Sequence, residues 1–232
     1  IVRPIYQCTS TNSEVVWFDD FGNISTSSGR YTYTDYSNPD NLVTRTVNAD
    51  SRSCDGENFY SVKDYQNAVV EHTYGYTSSY GHSGDGDVQD GHYAILENSI
   101  HSMCGSRNQT GSFTDHTSGS GAMLFVNFAS NSINRKIYRR PFSVKCDDAY
   151  VIISVYIANA NKLENATWQQ TALEEVNLRM DIRDGVATNA PIVARAYTGN
   201  IQSRDACPEW HNLSARFKAQ KGHTYYLELT NN

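Results

Sequence analysis

The sequence predicts an all-β chain, a jelly-roll β-sandwich with long irregular loops. Three observations carry that prediction: apolar and polar residues alternate at period two through the second half, turn-forming residues separate those runs, and helix signals are poor. The composition agrees. Of 232 residues 39% are apolar and 19% charged, so polarity comes from Ser, Thr, Asn and Gly, and Tyr occurs 16 times. Tyr, Thr and Val suit pleated strands, and Ser, Asn, Asp and Gly suit turns. No Pro-rich linker and no internal repeat interrupts the chain, so residues 1–232 read as one domain.

Taken in order, Val15-Val16-Trp17-Phe18 is an apolar strand that runs into Asp19-Asp20. Residues 23–90 are polar and rich in Tyr, Gly and Ser, with few clean alternations, and read as a long loop region. Within it residues 74–90 approach low complexity, and Tyr31 and Tyr33 read either as strand residues that pack or as ligand contacts. Residues 149–158 are apolar on both faces over part of their length, as in a central strand. Residues 168–176 could form two helical turns. Leu178-Arg179-Met180-Asp181-Ile182-Arg183 and Leu213-Ser214-Ala215-Arg216-Phe217-Lys218-Ala219 alternate strictly, and Tyr225, Leu227 and Leu229 repeat the pattern. Asp147-Asp148, Arg183-Asp184-Gly185 and Lys221-Gly222 are the breaks between these runs.

Charge and cysteine usage narrow the function. The formal net charge is −6 and basic runs are nearly absent, which speaks against a nucleic-acid partner. The longest apolar stretch, near residues 151–158, is too short to span a bilayer. Five cysteines (Cys8, Cys54, Cys104, Cys146 and Cys207) are widely scattered, without a CxxC pair. That pattern suggests disulfides in an oxidising compartment, with one thiol left over. Sequons at Asn23, Asn108, Asn165 and Asn212 matter only in a source that glycosylates asparagine. Ile1 reads as a processed end or a boundary.

No motif singles out catalysis. There is no GxSxG, no HExxH, and no pair of carboxylates that stands apart as a glycosidase pair, so the chain reads as a non-enzyme. The seven histidines read singly as surface or structural residues. Asp85-Gly86-Asp87-Val88-Gln89-Asp90-Gly91 has the carboxylate density of a calcium loop but lacks the downstream bidentate Glu. Asp19, Asp20 and Asp115 stand at apparent strand ends, where carboxylates from distant segments can converge on one cation or simply cap turns. Among the Tyr of the irregular half, Tyr74, Tyr76, Tyr80 and Tyr93 are candidates for stacking on a sugar or peptide.

Several pieces in a fixed order resemble a family. They are Trp17-Phe18-Asp19-Asp20-Phe21-Gly22, Asp90-Gly91-His92-Tyr93-Ala94-Ile95, Asp115-His116-Thr117 with Gly121-Ala122-Met123-Leu124-Phe125-Val126-Asn127, Ile137-Tyr138-Arg139-Arg140, the run at 150–159, and Asn177-Leu178-Arg179-Met180-Asp181-Ile182-Arg183-Asp184. Together they look like the galactose-binding-like jelly-roll modules of large surface proteins from Bacteroidetes-type bacteria. The resemblance covers about residues 15–230. It implies a carbohydrate-binding-like sandwich, secreted or at the cell surface, that recognises a glycan or a protein partner. It also implies a structural calcium held by Asp19 or Asp20 and by Asp115 and Thr117. The chain departs from the pattern at its end, where a final strand with an acidic pair is expected after Leu227-Glu228-Leu229-Thr230. A missing strand would leave an open edge, so the alternative reading is self-association as a filament or surface-layer subunit built by strand donation.

Overall fold

The computed structural model describes residues 2–7, 13–15, 20–25, 28–35, 43–54, 57–62, 88, 92–98, 114–128, 133–161, 175–203 and 209–232. Among these residues the chain is all-β, with no helix, and the named strands pair antiparallel throughout. In chain order the strands are β1 (Val2–Gln7), β2 (Ser13–Val15), β3 (Asn23–Ser25), β4 (Arg30–Asp35), β5 (Val43–Asn48), β6 (Asp50–Cys54), β7 (Glu57–Val62) and β8 (His92–Leu96). They continue with β9 (Met123–Asn127), β10 (Lys136–Phe142), β11 (Ala149–Ile157), β12 (Leu178–Asp184), β13 (Ile192–Tyr197), β14 (His211–Ala219) and β15 (Tyr225–Asn231).

Two four-stranded sheets, in the orders β14-β11-β1-β2 and β10-β15-β12-β13, meet across one core. Period-two alternation places Val151, Ile153 and Val155 of β11 and Leu213, Ala215 and Phe217 of β14 on one side of it. Met180 and Ile182 of β12 and Leu227 and Leu229 of β15 lie on the other. Phe142, Phe217 and Tyr225 pack ring against ring, with centroids 5.0–6.1 Å apart, and so join β10 and β15 to β14. A three-stranded sheet, β3-β4-β5, and a further four-stranded sheet, β6-β7-β8-β9, complete the described strands.

The alternating runs of the second half are strands β12, β14 and β15, as their patterns dictate. The expected turns lie between them. Asp148 (φ 57°) precedes β11, Gly185 (φ 121°) follows β12, and Gly222 (φ 83°) joins β14 to β15. Strand β11 is interior to its sheet, but only one of its faces is buried. Tyr150 and Ile152 point outward, 47% and 44% exposed.

Two expectations need correction, and a third lies mostly outside the described residues. The loop region at 23–90 contains β3 to β7. Tyr31 and Tyr33 are buried in β4, stacked 5.2 Å apart, while every residue of β5 is exposed. An edge strand with no buried face carries no apolar period, so its pattern is silent. Residues 74–90 lie outside the described residues except Val88, which is fully buried. The helix at 168–176 lies outside them as far as residue 174, and Val176 is extended, exchanging backbone hydrogen bonds with Ile201. Finally, β15 is an interior strand, paired with β10 on one side and β12 on the other. The open edge that would call for a donated strand is not at the C-terminal strand.

Candidate functional site

A tight bend and a long turn meet beside β3. Phe21 (φ 61°) and Gly22 (φ 76°) are consecutive left-handed residues. Asp20 stabilises this bend, its Oδ1 accepting the Gly22 N–H at 3.0 Å. A Cβ on Gly22 would lie 2.4 Å from the Thr32 carbonyl oxygen and 2.9 Å from the Tyr31 ring, so only glycine fits. The Tyr31 hydroxyl donates to the Phe21 carbonyl at 2.7 Å.

The turn at 114–121 is built around one carboxylate. Asp115 is 7% exposed. Its Oδ2 accepts from the Thr117 N–H at 2.7 Å and the Ser118 N–H at 2.8 Å. Its Oδ1 accepts from the Gly121 N–H at 2.6 Å and the Ser118 hydroxyl at 3.2 Å. Burial alone would raise the pKa of this acid, but these donors outweigh it and hold the carboxyl below its ordinary value. The turn is stitched to the bend, because the Ala122 N–H donates to the Gly22 carbonyl at 2.9 Å and Asn23 Nδ2 donates to the Ser120 carbonyl at 3.1 Å.

Between bend, turn and sheet lies a hollow of about 200 Å³. Asp20, Asn23, Thr32, Tyr33, Thr44, Asp115, Thr117 and Ser118 line it, with Gly22 and Gly121. It is smaller than the roughly 300–1,000 Å³ of drug-sized pockets, and so suits a single ring or a chain end. The other side of the turn is aromatic. His116 stacks on Tyr156 of β11, with centroids 3.6 Å apart and planes at 15°, and Trp210 meets it edge-on at 5.8 Å. Burial lowers the pKa of His116, while the charge of Asp115 pulls it the other way.

The structure thus brings Asp20, Asp115 and Thr117 to one hollow, from sequence positions almost a hundred residues apart. The donor chemistry does not fit Asp115 as a calcium ligand, however. A carboxylate offers about four lone-pair positions, and four donors already occupy those of Asp115. Thr117 serves through its backbone N–H. Among the described residues no group of three or more His, Cys, Asp or Glu could hold a metal. Asp19 lies outside the described residues, as do Asp85, Asp87 and Asp90.

Of the candidate ligand tyrosines, Tyr74, Tyr76 and Tyr80 lie outside the described residues. Tyr93 is corrected: it is 3% exposed in β8, and its ring has no face to offer a ligand. The aromatic cluster was missed. Its one readable signal is Tyr156, an outward position on an alternating strand. His116 and Trp210 carry no local sign of meeting there. Comparison of the chain with protein-family models, curated proteins and solved structures finds no match.

Proposed function

We propose that the chain is a non-catalytic carbohydrate-binding module with a jelly-roll sandwich, secreted or at the cell surface, and that the hollow beside the Asp115 turn receives the sugar. One observation carries this reading: a small concave site lined by hydroxyls, one amide and two carboxylates. Sugars present hydroxyls that exchange hydrogen bonds with Thr32, Thr44, Asn23 and Asp20. A flat protein partner would be served poorly by so small a concavity.

The same geometry favours binding over catalysis. A carboxylate saturated with donors and held below its ordinary pKa is a poor proton acceptor. A disulfide at Cys146 and an oxidising compartment belong to the same proposal. Calcium has no part in this reading.

The test is a screen of immobilised neutral glycans, followed by titration of any ligand found into Thr32→Val and Thr44→Val, both lining the hollow. Each change removes a hydroxyl and is expected to weaken binding about tenfold, as loss of a hydrogen bond worth about 1.4 kcal/mol would. Absence of any glycan ligand, or unchanged affinity in both variants, would overturn the proposal.

A further inference from the structure

The outer face of the β10-β15-β12-β13 sheet carries a second arrangement, remote in sequence from the Asp115 turn. Arg139, Glu228, Asp181 and Arg195 stand directly opposite one another across the four strands. Both carboxylates are 1% exposed. Glu228 is held by Lys136 and Arg139 at 3.0 Å and by Arg183 at 2.7 Å. Asp181 takes Arg195 through two nitrogens, at 2.5 and 3.0 Å, and Arg179 at 3.1 Å. Arg183 spans the two carboxylates, its Nη2 lying 3.9 Å from Asp181.

Neutralising two carboxylates requires two cations, and five surround them. All five are Lys or Arg, in a chain whose formal net charge is −6. Arg179 and Arg195 stand at the β12–β13 edge, the Arg179 side chain 19% exposed. Asp181 and Asn134 take two of the five N–H donors of Arg179, and Asp181 takes two of those of Arg195. Arg195 is 38% exposed on its side chain. Tyr197, opposite Arg179 in register and two residues along from Arg195, is 51% exposed. One buried carboxylate therefore fixes two guanidinium forks beside an open ring.

We propose that this edge binds an anionic polysaccharide, whose carboxylate or sulfate groups seat on Arg179 and Arg195 and whose sugar face rests on Tyr197. Planar guanidinium forks match carboxylate and sulfate oxygens in pairs. The ring separates a sugar polymer from an acidic peptide, which supplies the charge but no apolar sugar face. Asp181 is the positioning residue. The site is independent of the hollow at the Asp115 turn, and either reading can fail alone.

The experiment titrates the full chain by calorimetry with polygalacturonate, dextran sulfate, neutral dextran and polyglutamate, at low and high salt. The expected result is binding of one or both anionic polysaccharides, weaker at high salt, with weaker or no binding of polyglutamate and none of neutral dextran at this face. Arg179→Gln with Arg195→Gln should reduce affinity about tenfold or more. Tyr197→Ala, which removes the ring and the hydroxyl beside Arg195, should weaken the polysaccharide several-fold and any polyglutamate binding distinctly less. Lys218→Gln, on the opposite sheet and half exposed, should change neither. Failure of both anionic polysaccharides to bind would overturn the proposal. So would affinity indifferent to Tyr197→Ala, or polyglutamate binding as tightly as the polysaccharides.

Discussion

Removing the Asp115 carboxylate tests the account of the turn most directly. Asp115→Ala leaves three backbone N–H groups without their acceptor. Those of Thr117 and Ser118 belong to exposed residues and can turn to water, so each costs about 0.5–1 kcal/mol. That of Gly121 is buried, and its loss costs the full desolvation penalty of about 1.5–3 kcal/mol. The sum is about 2.5–5 kcal/mol, or a fall in Tm of about 5–20 °C for a chain of this size. Asn does not rescue the site. Whichever way its amide is turned, the NH₂ group faces either the Gly121 N–H or those of Thr117 and Ser118. The pH dependence has a definite sign. A carboxylate whose pKa is depressed on folding stabilises above its unfolded value, near 3.9, and the contribution is lost as pH falls through the folded value. The assay is thermal unfolding of wild type and Asp115→Ala at pH 7 and again in mild acid. The gap between them should be wide at pH 7 and should shrink below about pH 4. A gap under about 1 kcal/mol at pH 7, or one that stays constant into acid, would refute the argument.

Three further outcomes are expected. Glu228→Gln leaves three cations around a neutral, buried amide and should cost about 3–5 kcal/mol by thermal or denaturant unfolding; a loss below about 1 kcal/mol would show the network to be idle. Gly22→Ala drives a Cβ onto the Thr32 carbonyl in a left-handed backbone and should destabilise by about 2 kcal/mol or more, as well as weakening any glycan bound in the hollow. A chelator should leave Tm unchanged to within about 1 °C, because an ion that does not bind the folded state cannot stabilise it; a drop of several degrees reversed by calcium would restore the metal reading.

Local pattern determined what local physics controls. A two-residue period is imposed by the pleat itself, so Leu178 to Arg183, Leu213 to Ala219 and Tyr225 to Leu229 announced both strand and buried face. Asp148, Gly185 and Gly222 likewise announced the turns that their backbones allow. The same logic hid β5, which buries nothing and has no period to show. It also misjudged Tyr93, because Tyr suits an open binding face and a core position equally well. The carboxylates at strand ends were legible as a group, and the fold does bring Asp20 and Asp115 to one hollow. Whether such a carboxylate meets a cation or backbone N–H groups depends on the path of the chain around it. For Asp115 that path closes through Gly121, whose missing side chain lets the N–H approach to 2.6 Å. Tertiary structure alone decided the rest. It set His116 against Tyr156 and Trp210, and it aligned Arg139, Glu228, Asp181 and Arg195 across four strands. Register between distant strands follows from packing of the whole core, and no spacing within one strand encodes it.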